Sequence, residues 1–435
     1  MPTGGRLRRY LRGWQARRPA GVVSREYLTG SSDPRVGVHR RAFFGAGVGT
    51  GRWGPAGRSE IGARAAWAPR QAWLLGRWYA GVGRAAVAGV AEEQLVELAP
   101  RIGVPPEVQR ARLAALARKH AIAPHEALAL GLVRDGMTER WAEYVFECEQ
   151  GWNAAASAPG AGRHQATLGD KVATARVLTT AGIACVPSLV IAPLSGGDRV
   201  ESLVDAWLAT WPKVHGKRRA GSRGEGAFEL WRRESVVPLH LREHQGRTPV
   251  VDPLQWLRRN LSGHEYLIQP RLTSHPMFEG VADPTDVVTI RAVTRDLGAG
   301  PHLFCAWLEV PLPITGEQQY YVLLRLSAAG EVIGPVLREW LLADPAEDAP
   351  ESADARPADP VAAALAGLTV PGYSQLLADS LAAHRQFAGL FAAAWDVAIT
   401  PDGNLFLEGN SGFGVDTPQR LAGGLLADLP PRHDH

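Results

Sequence analysis

The chain has 435 residues, 46% of them hydrophobic and 21% charged, with a formal net charge of +3; this length and balance fit a globular protein with roughly two or three cores. Its cysteines, Cys148, Cys185 and Cys305, are odd in number and far apart, which excludes a disulfide framework or a cysteine-based metal centre and fits a reducing cytoplasm. No run of about eighteen uncharged apolar residues exists to span a bilayer, and the basic N-terminus is not followed by the apolar segment of a secretory signal.

Residues 1–90 contain sixteen arginines, no lysine, and only Glu26, Asp33 and Glu60 as acids. The first 65 residues are rich in Gly, Arg and Ala without sustained periodicity. They are expected to form a loosely attached arm, of a charge that can touch nucleic acid or an anionic surface. From about 66 to 158 the segments "EEQLVELAPRIG", "PEVQRARLAALARKHAI" and "APHEALALGLVRDG" place apolar residues three and four apart, punctuated by Gly or Pro. That spacing predicts a small helical domain, which "TERWAEYVFECEQGWNAA" continues. "ASAPGAGRH" (156–164) reads as a linker.

A mixed α and β pattern follows, over about 165–425. "LGDKVATARVLTTAG" predicts a helix capped by Asp170 and stopped at Gly182, before a strand at Ser188–Ala192. A helix is expected over Val200–Thr210. "HEYLIQPRL", "DVVTIRAVTRD", "HLFCAWLEVPL" and "QYYVLLRLSAAGEVI" are strand candidates, the last ending in a hairpin. Residues 343–360 form an acidic, low-complexity surface insert. "YSQLLADSLAAHRQFAGLFAAAW" predicts one long amphipathic helix leading straight into the final hairpin.

That hairpin, "WDVAITPDGNLFLEGNSG" (395–412), carries the strongest chemistry. Thr400-Pro401-Asp402-Gly403 signals a tight turn with a three-residue loop, because proline presets one dihedral and glycine accepts the left-handed position. With Thr400 facing Asn404, Asp396 stands opposite Glu408, and Asn410 shares Glu408's face. Two carboxylates and an amide oxygen on one side suit magnesium, which prefers hard oxygen ligands and retains room for water and phosphate. A one-residue slip would move Asp396 to the other face.

"KRRAGSRGEGAF" (217–228) is a lysine followed by a glycine-studded loop entering a strand. Gly221, Gly224 and Gly226 let backbone amides approach phosphate oxygens, and Lys217 supplies charge, with Lys213 as a competing lysine. The spacing is not that of a Walker loop. Lys171 opens its helix behind Asp170, as a solvated lysine or a phosphate ligand. Arg291 and Arg325 lie within apolar strand patterns, where an arginine is more often paired or functional than idle.

In order, Lys171, Lys217 with its loop, "EYLIQP", "TIRAVT" and "WD…EGN" resemble the ATP-grasp superfamily, and within it the branch associated with sugar transfer or related to alpha-L-glutamate ligases. The resemblance covers about residues 165–420. It implies an α+β fold in which two subdomains enclose ATP, with a helical N-terminal extension. It further implies that Lys171 and Lys217 contact the nucleotide phosphates under a loop containing Gly224 and Gly226. Adenine would lie along the strand through Ile268, with Gln269 beside it and Glu265 nearby. Arg291 would face the transferred phosphoryl group, and Asp396, Glu408 and Asn410 would hold magnesium. Two departures stand out. No Asp-Asn or Gly-Gly appears in "LEVPLPITGEQQYYVLLRLSAAGEVIGPV", and Arg218 replaces the proline common after the loop lysine.

The activity implied is ATP-dependent activation of a carboxylate as an acyl phosphate, followed by attack of an amine, with small-molecule carboxylate and amine substrates. Phosphoryl transfer to a sugar or other hydroxyl uses the same nucleotide site. A non-catalytic nucleotide-binding protein docked by its basic arm is the third reading.

Overall fold

The computed structural model describes residues 78–146, 152–195, 199–219, 226–232, 239–243, 250–284, 286–312, 321–335 and 358–429. The basic arm at 1–65, Gly221, Gly224 and residues 343–357 of the acidic insert lie outside the described residues.

After a helical turn at Trp78–Val82 come α1 (Gly83–Ala88), α2 (Glu92–Ile102), α3 (Pro106–His120) and α4 (Pro124–Ala129). Gly103 ends α2 in the left-handed conformation, and prolines open α3 and α4, where a missing N–H costs nothing. Their apolar faces meet around Leu95, Leu98, Leu113, Leu116, Leu128 and Trp78. Thr138–Glu143 forms a short 3-10 turn, but Tyr144–Phe146 then runs extended and buried instead of continuing a helix. A cross-chain bond explains this: Val145 N donates to Gln419 Oε1 (2.7 Å) and Gln419 Nε2 donates to Val145 O (2.7 Å). A helical Val145 would have spent those groups on its own helix.

The next elements are α5 (Trp152–Ala156), α6 (Gly162–Leu168) and α7 (Lys171–Thr180). The stretch expected as a linker is therefore packed. Ala158 N donates to Gly389 O, and Ala161 and Leu168 are buried. Asp170 caps α7 as expected, accepting from Val172 N (3.0 Å) and Ala173 N (3.3 Å).

The smaller of two sheets contains β1 (Leu189–Ile191), β2 (Lys213–Arg218), β3 (Phe228–Arg232), β4 (Leu239–Glu243) and β5 (Tyr266–Pro270), in the spatial order β1-β5-β2-β3-β4, all antiparallel. Helices α8 (Val200–Thr210) and α9 (Pro253–Leu261) cover one face, burying Val204, Trp207, Trp256 and Leu257 against Phe228, Leu230, Tyr266 and Ile268. β2 begins at Lys213, so Lys217 is a strand residue, not the first residue of a loop.

The larger sheet contains β6 (Thr289–Asp296), β7 (Pro301–Pro311), β8 (Tyr321–Leu326), β9 (Val332–Pro335), β10 (Ala392–Thr400) and β11 (Gly403–Asn410), in the order β11-β10-β6-β7-β8-β9. Helices α10 (Ala358–Leu365) and α11 (Tyr373–Arg385) precede β10, and α12 (Asp416–Ala422) follows β11. The described chain is thus α+β, with two antiparallel sheets. Helix α11 is shorter than its sequence pattern suggests. Gly389 takes a positive φ of 82°, and Ala392–Ala394 enter the sheet, where every residue of β10 is buried and small side chains fit on both sides. Period two then sorts the large sheet. Ile290, Ala292, Leu308, Val310, Leu324, Trp395 and Val397 enter one core. Arg291, Trp307, Arg325 and Asp396 alternate with them and belong to the opposite face.

Candidate active site

The final hairpin reaches the expected arrangement by a different route. Thr400 pairs with Gly403, so the loop has two residues, one fewer than its sequence suggests. Ile399 then pairs with Asn404 and Val397 with Phe406. A bulge follows, Leu407 is left unpaired, and Asp396 comes opposite Glu408. The bulge offsets the shorter loop.

From that pair a single row crosses the sheet. Asp396 pairs with Arg291, Arg291 with Trp307, and Trp307 with Arg325. Arg291 forks onto Asp396, with Nε to Oδ1 at 2.5 Å and Nη2 to Oδ2 at 2.8 Å. Trp307 Nε1 donates to Glu309 Oε1 (2.9 Å), and that carboxylate lies 3.9 Å from Arg291 Nε. Asn410 Nδ2 donates to Glu408 Oε1 (3.2 Å) and, more weakly, to Asp396 Oδ2 (3.4 Å). Lys171 Nζ lies 3.5 Å from Glu408 Oε2.

The charges are set by burial and by one another. Burial pushes the Asp396 carboxyl up to about 6, against the pull of Arg291. Burial also works to raise Glu408, but Lys217 and then Lys171 outweigh it and hold that carboxyl below its ordinary range. Lys217, reaching in from the smaller sheet, is lowered by desolvation, partly relieved by Glu408. Burial opposes the charge of Arg291, but Asp396 more than restores it and the pKa is raised.

The residues that converge on this face are Lys171, Lys217, Arg291, Asp396, Glu408 and Asn410. Lys217, not Lys213, lies in the field of Glu408; Lys213 is exposed at the start of β2, opposite Trp231. The remaining candidates lie elsewhere. Ile268 is fully buried in the smaller core, and its backbone lies between the paired strands β1 and β2, so it has no free edge to offer a base. Gln269 is buried and donates to Ser188 Oγ at 2.8 Å. Glu265 is bound by Arg219. Gly226 has a φ of 70°, and an added Cβ would come within 2.8 Å of Arg218 Nε and Tyr266 Oη, so the position needs glycine for packing as well as for its dihedral.

The donor set fits magnesium. Among the described residues no group of three or more His, Cys, Asp or Glu side chains is placed to hold a metal ion. Asp396 and Glu408 supply two carboxylates, and the Asn410 amide touches both. Because amide oxygen and nitrogen interchange by a simple flip, Asn410 can present oxygen to the same point.

Sequence reasoning missed two residues that shape this face. Asn153 on α5 brackets both ends of the hairpin: its Nδ2 donates to Ala392 O (2.6 Å) and Ser411 O (2.7 Å), and its Oδ1 accepts from Ala392 N (3.1 Å). No local pattern marks it. Arg219 was findable, since alternation along β2 puts it on the same side as Lys217.

Comparison with solved structures finds similarity to ligases, among them one described as an ATP-grasp ligase. The ligase PsnB complexed with a minimal precursor is 14% identical, with a TM-score of 0.35, covering 63% of this chain and 62% of that one. The D-alanine-D-alanine ligase from Coxiella burnetii is 14% identical, with a TM-score of 0.34 and coverages of 63% and 58%. The VanG D-Ala:D-Ser ligase from Enterococcus faecalis is 8% identical, with a TM-score of 0.38 and coverages of 63% and 63%. The chain thus spans less than two thirds of the length of these structures. No protein-family model matches the chain, and no curated protein does. Among the described residues no helix is long and apolar enough to cross a membrane.

Proposed function

We propose that this protein is an ATP-grasp enzyme, a magnesium- and ATP-dependent ligase that activates a substrate carboxylate as an acyl phosphate for attack by an amine. One observation carries the reading: two lysines from different parts of the chain, an arginine–aspartate fork and a Glu–Asn pair converge on one face beside the smaller sheet. Residues from about 165 to 425 would form the catalytic unit, with the N-terminal helices as an extension. The finer placement in the sugar-transfer or glutamate-ligase-related branch rests on the sequence motifs.

Each residue then has a physical task. Lys171 and Lys217 would offset the charge of the polyphosphate. Asp396, Glu408 and Asn410 would hold magnesium, which supplies Lewis-acid neutralisation of phosphate charge. Arg291, anchored by Asp396, would present its remaining N–H groups to the phosphoryl group in transfer and to the oxyanion formed on amine attack. Phosphoryl transfer depends mainly on positioning and electrostatics, which suits a face built from fixed charges.

The test is product analysis with magnesium, ATP and pooled carboxylates and amines. The expected result is acceptor-dependent ADP and phosphate with a new amide mass, both lost in Glu408→Ala. A phosphorylated hydroxyl acceptor without amide would replace ligation by a kinase-type reaction. Absence of magnesium-dependent ATP binding would remove the reading altogether.

A further inference from the structure

Arg219 follows the last residue of β2, two residues beyond Lys217. It makes one of the long-range side-chain links between the smaller sheet and α7. Its Nε donates to Asp170 Oδ1 (2.9 Å) and its Nη2 to Asp170 Oδ2 (2.5 Å). Its third nitrogen, Nη1, lies 3.2 and 3.3 Å from the two Glu265 oxygens. The backbone is fastened as well, since Arg219 N donates to Glu265 O at 2.9 Å. Asp170 in turn is the cap of α7 and the residue immediately before Lys171.

Helix α7 belongs with the larger sheet. It packs on β11, and the chain just after it exchanges backbone bonds with Phe406: Phe406 N donates to Ala184 O, and Val186 N donates to Phe406 O. The Arg219–Asp170 fork therefore joins the two sheets at a point adjacent in sequence to both lysines. The need for such a join is electrostatic. Lys171 and Lys217 both act on the same carboxylate, Glu408, and Lys171 disfavours the charge of Lys217. Left alone, an ammonium group on α7 and one on β2 repel each other. Arg219 adds a third positive charge, but two carboxylates match it, so the strut holds the lysines together without increasing their repulsion.

We infer that Arg219 and Asp170 are positioning residues, a strut between the sheets that sets the spacing of the Lys171 and Lys217 ammonium groups for a nucleotide polyphosphate. The inference rests on the nucleotide-binding reading above and adds a part of the site outside the groups that would touch the ligand. Neither residue touches the phosphates; they act through the lysines.

The experiment is a double-mutant cycle on the full chain, using Asp170→Asn, Arg219→Gln and the pair. Asparagine caps a helix about as well as aspartate, so Asp170→Asn removes the charge while keeping α7 capped. Binding of magnesium with a non-hydrolysable ATP analogue is measured by calorimetry, and melting temperature in parallel. The expected result is a loss of affinity of about two- to fivefold in each single variant, with the pair losing no more than Arg219→Gln alone, because that variant already removes the fork to Asp170. Melting temperature should fall by no more than about 3 °C. Unchanged affinity in Asp170→Asn, or single losses that multiply in the pair, would overturn the strut. If the parent protein binds no nucleotide, the functional reading fails separately. The strut is then read from trace amine labelling by mass spectrometry. Faster labelling of Lys217 in Asp170→Asn than in the parent supports it, and equal rates overturn it.

Discussion

Asp396 and Arg291 stand directly opposite each other on neighbouring central strands, 105 residues apart in sequence, and share a two-bond fork. The fork is more than a charge pair. Asp396 is nearly buried, whereas Arg291 keeps about 30% of its side-chain surface exposed, so the arginine is anchored at one edge and open at the other.

Replacing Asp396 by Asn should therefore strand a positive charge. Breaking a fully buried pair costs roughly 3–5 kcal/mol, and partial exposure of Arg291 brings the expectation to about 2–3 kcal/mol. Urea denaturation checks this, and Arg291→Gln on the same background should recover part of the loss. A single variant as stable as the parent would mean that Arg291 finds solvent without rearrangement.

Asn153→Ala removes the bracket from both ends of the hairpin. Three backbone groups, at Ala392 twice and Ser411 once, lose their partner. At about 1 kcal/mol each, with more for groups left buried, the loss should be about 3 kcal/mol. The same variant should weaken magnesium-dependent nucleotide binding, because Glu408 and Asn410 lie just inside the released end. Loss of stability with full affinity would separate the bracket from the site.

Gly216→Ala probes the smaller sheet. A Cβ there would fall 2.2 Å from two atoms of the Phe228 ring, which is packed against Trp256 and Tyr266. Overpacking of this kind costs about 1–3 kcal/mol. Adding Phe228→Leu, which shortens the obstructing side chain, should restore some of the stability; a further drop would show that the ring's lost contacts dominate.

His384 should make folding sensitive to pH. It is buried between α11 and β6, with Nε2 donating to Leu390 O (2.9 Å) and Nδ1 lying 2.8 Å from Thr294 Oγ1, whose hydroxyl donates to Ala393 O (3.2 Å). Thr294 Oγ1 also accepts from Trp395 Nε1 (3.0 Å), the residue before Asp396. Burial lowers the His384 pKa in the folded state. Above about pH 6.5 the ring is neutral both folded and unfolded; below it the unfolded chain takes up the proton first, and stability falls by up to about 1.4 kcal/mol per pH unit until the folded pKa is reached. Stability of the parent and of His384→Gln between pH 7 and pH 5 should show a flatter profile in the variant.

The sequence by itself determined the local parts. Alternation in "VVTIRAVTRD" put Arg291 on the face away from the apolar core, and the Thr-Pro-Asp-Gly signal located the final hairpin. Capping chemistry located Asp170 at the start of α7, and the extent of α8 was legible residue for residue. These features depend on side-chain period and turn preference over a few residues. Tertiary structure decided what such rules do not reach. The bulge at Leu407 sets the register beyond the turn, and the chain runs extended at Val145 because Gln419, 274 residues away, takes its backbone groups. Asn153 ties the hairpin from 239 residues before Ala392, and Arg219 meets Asp170 across 49 residues and two sheets. Hydrogen bonds of that kind form only when packing has already brought their partners within about 3 Å, and no periodicity in the chain encodes the meeting.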